Sequence, residues 1–99
     1  VRLRYTRPAL DDLASILDYI AERSPSGVQR VRTRIRSILD LLVNHPHAGA
    51  PTEDPTIRRM PTAPYPFLIF YEATDDEIVI HAVRHGARDP SGFPGNDEP

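Results

Sequence analysis

The stretch "YPFLIFYEATDDEIVIHAVRHGARDP", residues 65–90, decides the fold. Its first part, "YPFLIFYEA" (65–73), is aromatic and apolar enough to read as a strand, with Pro66 at the start or at an edge. "TDDE" (74–77) reads as a tight turn, although it lacks the glycine of the commonest hairpin loops. Ile78 to about Arg84 then reads as a returning antiparallel strand. Ile78, Val79, Ile80, Ala82 and Val83 suit a protein interior, yet Arg84, His85 and Arg88 crowd the far end. The pattern predicts a strand that is apolar beneath a covering layer and cationic at the rim where it emerges. Gly86 is expected to permit a turn there that a β-carbon would resist.

Working backwards, Ile57–Met60 predicts a brief strand, which makes the carboxy-terminal half an antiparallel meander of three strands. "NHPHAGAPTEDPT" (44–56) is too rich in proline and small residues to be regular and is expected to be the main loop. Before it, Val28, Val31, Ile35, Ile38, Leu39 and Leu42 recur at helical spacing to about Val43. "SPSG" (24–27) separates this helix from an earlier one that carries Leu10, Leu13, Ile16, Leu17 and Ile20 through residue 22. Thr6 is placed to cap that first helix, and Pro8 lies near its first position, where a missing N–H costs nothing. "VRLRYT" (1–6) alternates Val1, Leu3 and Tyr5 with arginines, the period of a half-buried strand. The whole is an α+β fold in the order β-α-α-β-β-β, a helical hairpin packed on one face of a small, mainly antiparallel sheet. The pairing position of the first strand stays open. The opposite sheet face has no element left to cover it, so a groove lined with Tyr and Phe is expected to receive a partner.

Ninety-nine residues fit one domain, expected over 1–88, with a flexible tail at 89–99 ("DPSGFPGNDEP"). The chain has no cysteine, which excludes disulfides and thiolate metal sites. No apolar run approaches a membrane span and no signal-peptide pattern opens the chain, so a soluble, cytoplasmic protein is expected. All twelve basic residues are arginine, against fourteen acids. A chain this acidic is a poor general nucleic-acid binder. Residues 8–22 carry Asp11, Asp12, Asp18 and Glu22 with no base, whereas 23–39 carry Arg23, Arg30, Arg32, Arg34 and Arg36 with no acid. The two helices are therefore expected to attract one another. Arg30 and Arg34 share one helical face and Arg32 and Arg36 another, so only part of the set can meet the acidic helix.

No metal or cofactor is expected. His81 and His85 fall on one face of a regular strand but about 13 Å apart, too far to share an ion. His45 and His47 lack carboxylate companions at a ligand spacing. The serines sit in no nucleophile elbow, and no Gly-rich phosphate loop occurs. The remaining candidates are Arg58, Arg59, Arg84, His85 and Arg88, whose guanidinium forks are suited to phosphate or carboxylate. Arg84 and Arg88 have a plainer alternative in pairing with Glu72 or Asp89.

The helix "ALDDLASILDYIAERSP", the loop "HPHAGAP", the arginine-bearing "IRRM" and the closing "YPFLIFYEATDDEIVIHAVRHGARDP" together resemble the RelE/ParE superfamily of toxins from type II toxin–antitoxin modules. The likeness runs from about residue 3 to residue 90. It implies a toxin neutralised by a cognate antitoxin whose carboxy-terminal segment wraps it, and it leaves sequence-specific DNA binding to that antitoxin. ParE-like members poison DNA gyrase and are not enzymes; RelE-like members cut mRNA in the ribosome. Cutting RNA needs groups that activate the 2′-hydroxyl, stabilise the phosphorane and protonate the leaving oxygen. Here those would be Arg58, Arg84 and His85, with Tyr71 as a helper. The lack of lysine and the closing "VRHGARDP" favour the ParE-like branch, for which Arg58, Arg59, Tyr71, Arg84, His85 and Arg88 become target- or antitoxin-binding residues. Ribosome-dependent mRNA cleavage is the first alternative, and an inactive relative kept as a binding module is the second.

Overall fold

The computed structural model describes residues 1–86; Arg88 and the expected tail at 89–99 lie outside the described residues. The elements are β1 (Arg2–Tyr5), α1 (Arg7–Arg23), α2 (Pro25–Asn44), β2 (Ala50–Pro51), β3 (Arg58–Pro61), β4 (Phe67–Ala73) and β5 (Glu77–His85). They form one five-stranded sheet in the order β1-β5-β4-β3-β2. β1 runs parallel to β5, and the other neighbours are antiparallel. The expected α+β plan therefore stands, with two additions. The first strand sits at the sheet edge beside the last one, and the loop at 44–56 contributes β2, a two-residue strand paired with β3.

Local chemistry explains the boundaries. Thr6 has extended backbone, and its hydroxyl accepts the Ala9 N–H at 3.2 Å, capping α1 as expected. Its own N–H donates to the Ile80 carbonyl at 3.0 Å, which fixes the start of α1 against β5. The "SPSG" segment is not a four-residue break. Ser24 ends α1 by donating its N–H to the Ile20 carbonyl at 2.7 Å, and its hydroxyl accepts the Gly27 N–H at 3.0 Å to begin α2. Pro25 then occupies the first turn, where its missing donor is no loss. One residue thus joins the two helices.

The main core lies between α2 and the sheet. Val31, Ile35, Ile38, Leu39 and Leu42 of α2 meet Ile69 and Tyr71 of β4 and Ile78, Ile80 and Val83 of β5. Each such side chain stabilises the fold by about 1.5–3 kcal/mol. From α1 only Ala9 is fully buried, while Leu13, Ile16, Leu17 and Ile20 are partly covered. The charge attraction expected between the helices is not what joins them: among the described residues no ion pair links α1 to α2. Asp12 turns instead towards β5, and Glu22 towards Arg23 of its own helix.

Strand β5 is irregular at one position. Tyr71 is opposite Ile80 and Phe70 opposite Ala82, so His81 is an extra residue, a β-bulge. The bulge lets Ile78, Ile80 and Val83 all reach the helix side, and it moves Ala82 to the other face. That second face is not the open aromatic groove that the element order suggests. Ile57, at the end of the loop, packs there with Phe70 and Ala82, and Leu68 joins them. Phe70 is fully buried as a result.

Candidate functional site

The five candidate residues that lie within the described structure do not gather at one point. Arg58 and Tyr71 are Cα partners across β3 and β4, and so share a face. Tyr71 is fully buried. Its hydroxyl accepts the Gly49 N–H at 2.9 Å and donates to the Pro46 carbonyl at 2.8 Å. Burial pushes this hydroxyl above the usual tyrosine range, against the opposing effects of the Gly49 hydrogen bond and the nearby Arg58 charge. Arg58 donates through Nη1 to the Gly49 carbonyl at 2.7 Å, with the His47 carbonyl at 3.4 Å. Both side chains hold the loop after α2 against the sheet.

Arg59 is opposite Phe70 and belongs to the other face, where it is half-buried. Arg84 is opposite Leu68 and is exposed; its Nε lies 3.9 Å from an Asp12 carboxylate oxygen. The same carboxylate accepts the Val83 N–H at 3.0 Å. β1 has ended by that point, so a helix side chain completes the hydrogen bonding of the β5 edge. His85 is opposite Phe67, and their rings meet edge-to-face at 5.8 Å. The bulge therefore separates His81 and His85, which a regular strand would put on one face. His81 instead pairs with Glu72 at 3.1 Å, which removes Glu72 as the expected partner of Arg84. Nearby, Asp54 accepts the Thr56 N–H and hydroxyl at 2.9 and 2.8 Å. Chiefly through that backbone bond, its carboxyl is held below the usual range.

Sequence reasoning missed a groove on the helix side. Between β1, α1 and α2 lies a cavity of about 390 Å³ whose apolar lining is Leu3, Tyr5, Leu13, Leu17, Ile35 and Leu39. Arg32, Arg36 and Asp40 supply its polar lining. Burial raises the Tyr5 hydroxyl above its ordinary range, opposed by the Arg36 charge. The apolar stripe of α1 was legible in its spacing. Which part of it stays uncovered depends on α1 sitting over the β1–β5 edge, and no local signal gives that. An apolar floor beside two guanidinium groups is suited to an amphipathic segment bearing carboxylates.

Among the described residues no helix is long and apolar enough to cross a membrane. A family model described as "ParE toxin of type II toxin-antitoxin system, parDE" matches residues 3–90. The chain is 36% identical over 84 residues to "Toxin RelE2" of Caulobacter vibrioides, covering 85% of this chain and 93% of that protein. It is 30% identical over 91 residues to "Toxin ParE2" of Mycobacterium tuberculosis, covering 91% and 86% respectively. Among solved structures it superposes on a chain of "Chromosomal ParDE TA system from P. aeruginosa" with a TM-score of 0.73 and 26% identity, over 86% of this chain and 95% of that one. The E. coli DinJ-YafQ complex contains a chain of the same fold, at TM-score 0.62 and 14% identity, with 88% and 96% covered. With a family match over almost its whole described length and relatives aligned nearly end to end, this chain belongs to the ParE toxins of type II toxin–antitoxin systems.

Proposed function

We propose that the chain arrests growth by poisoning DNA gyrase, and that a cognate antitoxin neutralises it by laying an amphipathic, carboxylate-bearing segment into the groove of β1, α1 and α2. The observation that carries the gyrase reading is the dispersal of the RNA-cleaving candidates. Arg58 is engaged with loop carbonyls, and Tyr71 is shut off from solvent. Arg84 and His85 are consecutive strand residues that point to opposite faces. Arg58 is opposite Tyr71 and Arg84 opposite Leu68, three positions away along β4, roughly 10 Å at strand rise. A general base and acid acting on one phosphodiester must both reach it within hydrogen-bond distance. A protein that works by holding another enzyme needs no such convergence.

The groove supports the antitoxin half of the reading. Its floor leaves apolar side chains partly open to water, and covering them on binding is favourable at about 25 cal/mol per Å². Arg32 and Arg36 beside that floor favour a partner with carboxylates at matching positions.

The test is to incubate the purified, antitoxin-free protein with gyrase, ATP and plasmid, then treat with detergent and protease. Linear DNA that accumulates only when gyrase is present is the expected result. Intact plasmid from a folded protein that still arrests growth would transfer the assignment to ribosome-dependent mRNA cleavage. A folded protein that arrests nothing on overexpression would leave only a binding role.

A further inference from the structure

Helix α2 carries its arginines in two pairs on two flanks. Arg32 and Arg36 line the groove already described, and Arg30 and Arg34 line a second one on the opposite side. This second groove has a volume of about 530 Å³ and runs between α2 and the connection from β3 to β4, where Pro64 and Tyr65 form its far wall. Gln29, Thr33 and Ser37 complete the lining, and among the described residues no carboxylate takes part. Every polar side chain here can donate a hydrogen bond. Arg34 is positioned in advance: its Nε donates to the Ala63 carbonyl at 2.8 Å, which ties the guanidinium across the groove. Among the described residues neither Arg30 nor Arg34 has an ion-pair partner.

The two grooves differ in what they can hold. An acid-bearing protein segment needs apolar surface to bury, which the first groove supplies with six apolar or aromatic residues and the second limits to Pro64 and Tyr65. Arginine with Ser, Thr, Gln and Tyr donors is the set that contacts nucleic-acid phosphates. Tyr65 is half-buried against the main core, so its ring is not an open platform for stacking a single-stranded base. We propose that this groove of α2 holds the phosphate backbone of duplex DNA, with Arg30 and Arg34 as its cationic contacts and no reading of base sequence. The choice of DNA over RNA rests on the gyrase reading above, since gyrase presents a DNA duplex to whatever binds beside it. The overall acidity of the chain sets no bar, because at physiological salt a phosphate responds to charge within about 8 Å.

The test is fluorescence anisotropy of a labelled DNA duplex titrated with the purified full chain at several salt concentrations. Duplex RNA and an acidic peptide such as poly-glutamate serve as separate arms. Binding with a dissociation constant of about 10⁻⁴–10⁻⁶ M, regardless of sequence, is expected. The Arg30→Gln/Arg34→Gln variant should weaken it at least tenfold and reduce the slope of log affinity against log salt by about two. Thr33→Glu, an exposed change that leaves the Arg34–Ala63 bond in place, should weaken it similarly, while Arg32→Gln/Arg36→Gln on the other flank should not. No binding by folded wild-type protein would overturn the proposal, as would binding untouched by the Arg30 and Arg34 changes. So would a preference for RNA or for the peptide. The assay contains no gyrase, so its failure leaves the plasmid-cleavage result standing, and a negative cleavage result leaves the anisotropy result standing.

Discussion

The hydroxyl of Tyr71 accepts the backbone N–H of Gly49 at 2.9 Å, so a strand residue closes the loop that follows α2. It also donates to the Pro46 carbonyl at 2.8 Å, and both oxygen roles are filled inside the protein. A segment with little regular structure of its own is thereby fixed on the sheet. The cause is an ordinary one: a buried phenol needs partners, and the loop backbone needs partners too.

Tyr71→Phe keeps the ring and removes the hydroxyl, leaving a buried Gly49 N–H without its acceptor. The expected cost is about 1–3 kcal/mol near neutral pH, read from urea midpoints. Because burial raises the folded-state pKa of this hydroxyl, folding favours its neutral form. That contribution is complete below the unfolded pKa of about 10 and is lost as pH rises through the higher folded value. The wild-type protein should therefore lose stability at strongly alkaline pH, and Tyr71→Phe should lose less.

The glycine that must lack a β-carbon is Gly49 and not Gly86, where the sequence suggests it. A β-carbon at Gly49 would stand 2.7 Å from the Tyr71 oxygen and 2.9 Å from the Arg59 carbonyl oxygen. At Gly86 the nearest atom would be the Pro66 carbonyl oxygen at 3.5 Å, an ordinary contact. Gly49→Ala should destabilise by about 1–3 kcal/mol, whereas Gly86→Ala should stay within about 0.5 kcal/mol. Thermal melts of the two variants, recorded side by side, decide it.

Asp12 and Arg84 give a third contrast. The Asp12 carboxylate accepts the Val83 N–H at 3.0 Å but lies 3.9 Å from Arg84 Nε. Asp12→Ala should cost about 1–2 kcal/mol through the lost charged acceptor and should speed hydrogen exchange at the Val83 amide. Arg84→Ala, removing only a long and half-exposed ion pair, should cost less than about 0.5 kcal/mol. If the cationic end of β5 meets the target, Arg84→Ala should still weaken growth arrest in a protein that melts like the wild type.

Apart from β2, hidden in a loop of proline and small residues, the elements and their order are legible from periodicity and composition. Val31, Ile35, Ile38 and Leu42 mark one helical face, and Ile78 to Val83 mark an interior strand. The parallel neighbour of β5 is not legible, since nothing in "VRLRYT" specifies its partner. The bulge is equally silent, yet the extra residue His81 decides which face Arg84 and His85 each take and parts His85 from His81. Strand alternation separates Arg84 from His85 in any case, and with the bulge it turns a cluster inferred from strand ends into a dispersed set. The first groove shows the same limit from the other direction. Leu13 and Leu17 are visibly apolar, but only the placement of α1 over the sheet edge leaves them partly uncovered.

Arg32 and Arg36 allow the antitoxin reading to be tested without touching the core. Both are exposed and lie on the flank of α2 that borders Leu13 and Leu17. Reversing their charge, Arg32→Glu with Arg36→Glu, leaves the packed face of α2 intact, so a cooperative melt close to wild type is expected. An antitoxin segment that brings carboxylates into the groove would then meet like charge, and its dissociation constant should rise at least tenfold, about 1.4 kcal/mol. Growth arrest by the variant alone should persist, while co-expressed antitoxin should no longer relieve it. An antitoxin that binds the variant and the wild type equally well in calorimetry would show that it docks elsewhere on the chain.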